Sequence, residues 1–425
     1  AKVKETTSAI LAYAPANDGK AEDSEYSAGA NITEAINYLA TIDKDTAHTD
    51  EGVSASVVII TTNETPGVAG KAYTLTTGVD TITAAGGSDT ISGSNTTLTA
   101  GDNIDGGVGS DSLTVSSAAT ATFGGFTVSN VETASFSASG GATTADVLNV
   151  TGATKIAAVG SSQNVIFSNI NDLPTLSVAN NSAGNVTFGN LAGDVTGTTD
   201  SQTLEITSTT NGTVTVDAIE TLDLTVSGTS VITSLAANAA TTLNAAGSGD
   251  LTLTAIPATV ETIDASAYTG KVTWGTIPAN DMTITGGTGA DTFDFTGGNP
   301  TSSDVVDGGD GSDTLRVDIG LTDAATIAKV TNVENIHLIY TGTGVDATVD
   351  ATLFDGIEIQ VADSSAVDND ANIVTVSNAK STQSITIDNH ATAGSNDDPL
   401  CPNTATGIFN VTAGENETDT ALYDE

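Results

Sequence analysis

Basic residues are scarce in this chain: 10 Lys and Arg stand against 53 Asp and Glu, a formal net charge of −43 over 425 residues. A field of that sign repels nucleic acid and anionic membrane surfaces and attracts cations. One cysteine, Cys401, excludes an internal disulfide. No basic residue stands next to it to lower its pKa, so it is read as structural. Three histidines, His48, His337 and His390, are too few and too scattered for a zinc site. No H-E-x-x-H, G-x-S-x-G or Walker-type loop occurs. Aromatics make up 4%, with Trp274 the only tryptophan. A sugar-processing cleft lined with aromatic platforms is therefore not expected, although carboxylate pairs abound. No run of eighteen apolar residues is present, so no transmembrane helix is expected. No basic-plus-apolar leader opens the chain. It is read as a processed form, a fragment, or a protein exported by a signal elsewhere, such as the acidic end "TALYDE". The class expected from these totals is not an enzyme.

What remains is 38% hydrophobic, enough for a core of Val, Ile, Leu and Ala, so disorder is not the expectation despite the charge. Aspartate outnumbers glutamate 38 to 15. Asp favours turns and cation sites, because its short side chain reaches back to the main chain.

Residues 1–70 read as a separate N-terminal segment. "NITEAINYLATID" spaces Ile32, Ile36, Leu39 and Ile42 for one amphipathic helix over 31–42, opened by Asn31 and Glu34 as a capping box. "SASVVIITT" at 54–62 reads as a strand. From about residue 71 the texture becomes short alternating segments, among them "DSLTVSS", "TLDLTVS" and "DLTLTAI", separated by Gly, Asn and Asp. The Thr/Ser/Asn filling and the low aromatic content favour a solenoid over a sandwich or barrel.

A long internal repeat sharpens this reading. "TITAAGGSDTI" (81–91) aligns with "TITGGTGADTF" (283–293), "DNIDGGVGSDSLTV" with "DVVDGGDGSDTLRV", and "VSNVETA" with "VTNVENI", all at an offset of 202. The chain is therefore read as two stacked halves, 71–275 and 276–425, each carrying one copy of the cassette.

Within the cassettes the spacing G-G-x-G-x-D-x-U-x, with U a large apolar residue, is met in full at 106–114, 286–294 and 308–316. It is met in part at 84–92. This is a calcium-binding nonapeptide. Its glycines, Gly87, Gly107, Gly109, Gly287, Gly289, Gly309 and Gly311, allow positive φ and close backbone approach, so that carbonyl oxygens can turn toward one point. Its aspartates, Asp89, Asp111, Asp291 and Asp313, add anionic oxygen. Asp89 and Asp111 are 22 residues apart, as are Asp291 and Asp313, which suits one solenoid coil. Asp102 with Asp105, and Asp304 with Asp307, are expected at the same edge just before each second turn. Calcium takes six to eight hard oxygens in flexible geometry, and these residues are its expected ligands. "VADSSAVDNDAN" (361–372) and "GSNDDPLC" (394–401) lack the glycine frame and read as solvated acidic loops. Asn-x-Ser/Thr sequons recur along the chain, for example at Asn95, Asn149 and Asn185.

Over roughly residues 70–345, "YTLTTGVDTITAAGGSDTI", "LTAGDNIDGGVGSDSLTV" and "VSNVETASFS" resemble the repeating core of RTX-type bacterial surface-layer proteins. The resemblance implies an all-β, elongated, right-handed parallel β-helix or β-roll that binds Ca2+, is secreted, and tiles with copies of itself on the cell surface. It implies a separate N-terminal part that holds the lattice to lipopolysaccharide or another surface glycan, and type I export. This chain is short and has few nonapeptides, which leaves a sheath or filament open as well as a flat lattice. An RTX adhesin, or the calcium-binding module of a larger secreted protein, is the alternative expectation.

Overall fold

The computed structural model describes residues 69–296, 300–318, 329–340, 347–362, 373–379, 384–390 and 408–413. The helix expected at 31–42, the strand expected at 54–62, Cys401, residues 363–372 of the first acidic loop and the whole of the second lie outside the described residues, while Val361 and Ala362 end the strand Gly356–Ala362.

The described chain is a parallel β-solenoid of about 12 turns. Two thirteen-stranded sheets run along it, joined by a four-stranded sheet near the start and a three-stranded sheet near the end. Among the described residues the neighbouring strands pair in parallel, for example Thr90–Ser94 on Ser112–Ser117 and Thr221–Ser227 on Thr242–Gly247. Among the described residues the only helix is a single 3-10 turn, Ala351–Leu353.

Alternation dictates this form. Each short strand sends every second side chain inward, as in Ser112–Ser117 and Thr133–Ala138. Stacked coils then place like on like. Ile91, Leu113, Ala134, Ile156, Leu176, Leu204, Leu224 and Ala245 form one continuous buried column, each in register with the next. Phe167 and Phe188 stack in register on one sheet with ring centroids 5.3 Å apart, and Phe136 of the facing sheet reaches across the core to Phe123 and Phe167, at 5.7 and 5.6 Å. Trp274 is wholly buried between Leu253 and Phe293 of the flanking coils. No residue in such a stack is remote from its neighbours along the axis, so each coil lends stability to the next.

The two cassettes do not sit one above the other. In the first copy Thr81–Thr83 belongs to the four-stranded sheet and Thr90–Ser94 to the long sheet that also contains Ala72–Thr74. In the second copy Thr283–Thr285, the counterpart of Thr81–Thr83, has moved onto that long sheet, and Thr292–Asp294 onto the other. Along the long sheet there are nine steps from Thr90–Ser94 to Thr283–Thr285. The 202-residue offset therefore spans nine coils plus one face, and the two acidic corners occupy different edges of the solenoid.

Candidate metal centre: two columns of buried carboxylates

The corner between the two strands of each motif is built by glycine. Gly107 and Gly309 have φ of 82° and 89°, a conformation that side chains with a Cβ resist. Gly287 and Gly289 are needed for a different reason. A Cβ there would stand 2.1 Å from the carbonyl oxygen of Tyr268 or Gly270 on the coil before. The motif's large apolar residues, Ile91, Leu113, Phe293 and Leu315, are fully buried and pin the following strands.

This frame stacks the aspartates into two columns. In the first, Asp89 Oδ1 accepts the main-chain N–H of Lys71 at 2.6 Å and Asp111 Oδ1 accepts that of Asp89 at 2.6 Å. Glu132 Oε2 closes it by accepting the Asp111 N–H at 2.5 Å. The second repeats the pattern. Asp291 Oδ1 takes the Val272 N–H at 2.9 Å, Asp313 Oδ1 takes the Asp291 N–H at 2.8 Å, and Glu334 Oε2 takes the Asp313 N–H at 2.8 Å. Each column is thus Asp–Asp–Glu on three consecutive coils. The four aspartates are 0–2% exposed.

Their second oxygens are the unusual feature. Oδ2 of Asp89, Asp111 and Asp313 is buried with no hydrogen-bond partner. Asp291 Oδ2 does have one, the Gly287 N–H at 3.1 Å. The counterpart of Gly287 in the first copy is Ala85. Burial pushes the Asp111, Asp291 and Asp313 carboxyls upward, Asp313 to about 7. At Asp111 and Asp313 the neighbouring carboxylates, Glu132 and Glu334 among them, push in the same direction against the hydrogen bonds that favour the anion. An unpaired buried carboxylate is expensive, and a bound proton or a cation removes the expense.

The remaining expected ligands are placed differently. Asp102 and Asp105 stand at opposite ends of the strand Asn103–Asp105 and do not meet at one edge. Asp102 is buried, with Oδ1 on the Asp80 N–H at 2.8 Å and Oδ2 on the Thr99 N–H at 2.7 Å. Asp304 makes the same bonds to Met282 and Thr301. These two aspartates fasten the loop that leads into the strand. Asp105 Oδ1 accepts from the Gly107 N–H and the Asn130 side-chain amide, and Asp307 Oδ1 from Gly309 and Asn332. Gly87 and Gly109 stack directly, for a Cβ on Gly109 would lie 1.9 Å from the Gly87 carbonyl oxygen. Gly311 stacks likewise on Gly289, at 2.1 Å.

Glu132 and Glu334 were not singled out from the motif. Their signal is the repeated "VSNVE" and "VTNVE", in register at 202 and 21 residues beyond Asp111 and Asp313. Also unforeseen is the neutral ladder that precedes the second column on the same edge. The Ala138 N–H bonds to the Ser161 hydroxyl, the Ser161 N–H to the Asn181 amide oxygen, the Asn181 N–H to the Thr209 hydroxyl, and the Thr209 N–H to the Ser230 hydroxyl. The middle coils thus use uncharged acceptors for the task that aspartate performs in the cassettes.

Among the described residues no three His, Cys, Asp or Glu side chains converge as a ready-made metal cluster. A cation here would draw on the paired carboxylates together with main-chain carbonyl oxygens. That donor set is all hard oxygen, which fits calcium and not zinc. The buried, unpartnered Oδ2 atoms meet the fit independently of any motif. Lys155–Glu205 and Arg316–Asp294 are the ion pairs found among the described residues, and neither neutralises a column.

No known family model matches the chain, and no curated protein or solved structure matches it.

Proposed function

We propose that this chain is a calcium-dependent, self-assembling structural protein of the cell exterior, forming a lattice, sheath or filament with copies of itself. The observation that carries the reading is the pair of Asp–Asp–Glu columns with buried, unpartnered oxygens. Nothing in an ordinary β-solenoid core calls for them, since Ser161, Asn181, Thr209 and Ser230 do the same hydrogen bonding without charge. Placed in calcium, each column turns mutual repulsion into binding, and the stacked coils are clamped at two edges. Self-assembly draws support from the strand ends. Among the described residues Ala72–Thr74, Thr81–Thr83 and Ala121–Phe123 pair on one side only. A parallel edge of that kind is a ready template for another chain.

Electron microscopy of the purified chain tests this. Ordered arrays or filaments are expected in millimolar calcium, with dispersal in EGTA and recovery when calcium is restored. Arrays that survive complete calcium removal would contradict the calcium dependence. Single particles in calcium would instead favour an adhesin or a binding module of a larger secreted protein.

A further inference from the structure

The first glycine of each complete second motif is packed closely against two oxygens. A Cβ on Gly106 would stand 1.9 Å from the carbonyl oxygen of Asn130 and 2.8 Å from Asp111 Oδ2. On Gly308 it would stand 1.9 Å from the carbonyl oxygen of Asn332 and 2.6 Å from Asp313 Oδ2. In both copies, then, a carboxylate oxygen and a main-chain oxygen of the next coil converge where only glycine fits. Asn130 and Asn332 share a left-handed φ of 52°, so the main chain turns identically at both places. Asp111 and Asp313 are 1% and 0% exposed, and the Oδ2 beside each of these glycines has no hydrogen-bond partner. Two residues past each asparagine comes the closing glutamate, tied to the same aspartate by its N–H.

We infer that each column holds a further divalent-cation position, between Asp111 and Glu132 and between Asp313 and Glu334, taking calcium through the aspartate Oδ2, the asparagine carbonyl oxygen and the glutamate carboxylate. It rests on the calcium reading above, but lies one coil beyond the Asp89–Asp111 and Asp291–Asp313 pairs and uses residues outside the nine-residue motif. All three donors are hard oxygens from adjacent coils, the arrangement that suits calcium. The glutamate's hydrogen bond alone does not define the position. Glu220 makes the same bond to the Asp200 N–H at 3.0 Å, where no buried oxygen is left over. The position is assigned where the close glycine contact, the unpartnered Oδ2 and the glutamate coincide, which happens twice.

Calcium bound per full-length chain, counted by equilibrium dialysis with elemental analysis at pH 7.5, decides the matter. The double variant Glu132→Gln with Glu334→Gln keeps an acceptor for each N–H and removes only the charge. It is expected to bind two fewer ions than the wild type, or to bind those two at least tenfold more weakly, with the other ions retained. The same number at the same affinity in the variant would overturn the inference. A wild type that binds no calcium would overturn the underlying reading instead. Should the variant fail to fold, anomalous scattering from strontium-soaked wild-type crystals gives the answer. A peak between Asp111 Oδ2 and the Asn130 carbonyl oxygen is expected, and peaks elsewhere alone would refute it.

Discussion

Replacing Asp111 and Asp313 together by asparagine is expected to raise the melting temperature of the calcium-free chain at pH 8 and to lower it in millimolar calcium. The two effects have one origin. Asparagine keeps the Oδ1 acceptor that each N–H of Asp89 and Asp291 requires. It removes a buried charge whose second oxygen has no partner. An amide left unpaired there costs about 1–3 kcal/mol. An isolated buried carboxylate costs several, so without calcium the neutral side chain is favoured. With calcium present the order reverses, because each aspartate would be a ligand. An ion at a hundred times its Kd contributes about 2.7 kcal/mol to the folded state, and the variant forfeits that at every position it breaks. The crossing of the two melting curves is the diagnostic. A purely structural role for the aspartates predicts lower stability under both conditions.

The second large effect is on pH. The Asp313 carboxyl lies at about 7 in the folded chain, against an ordinary value near 3.8 when the chain unfolds, and Asp111 and Asp291 are moved in the same direction. Between those values the folded chain holds a proton that the unfolded chain has released. Stability from this group is therefore full below about pH 4 and is lost as the pH rises through about 7. In EGTA, the melting temperature is expected to fall by about 5 °C or more from pH 4.5 to pH 8. General repulsion among 53 acids works in the same direction, so the wild type alone is not decisive. The paired variant Asp111→Asn with Asp313→Asn separates the two, for its decline should be visibly shallower. Equal slopes would mean that the columns do not titrate as described. Calcium reverses the trend, because the ion needs the deprotonated carboxylate and its affinity rises with pH. Burial of Trp274 beside Phe293, the apolar anchor of a motif in the second column, gives a fluorescence signal for these transitions.

Much of the fold was legible in the sequence, because strand alternation and a repeat of fixed offset are both local patterns. The stacking of Asp89 on Asp111 and of Asp291 on Asp313 followed from their 22-residue spacing. What stayed hidden was the phase of the coil. Successive rungs on one edge are 20 residues apart from Ser161 to Asn181 but 28 from Asn181 to Thr209, where the loop after Val186–Asn190 is long. With uneven coils, spacing alone does not say on which face a distant segment will land. The step of one face between the cassettes was therefore not foreseen. Nor was the separation of Asp102 from Asp111, which depends on where a three-residue strand begins and ends. Glu132 and Glu334 escaped because the nine-residue motif ends before them, so the repeated "VSNVE" and "VTNVE" read as coil and not as ligands.

The most direct test of the central claim is a calcium titration of the full-length chain by isothermal calorimetry at pH 7.5, in wild type and in the Asp111→Asn, Asp313→Asn double variant. Saturable binding of several ions per chain, with a clear loss of sites in the variant, is the predicted result. No heat and no bound calcium up to millimolar concentration, or identical binding by both proteins, would contradict it.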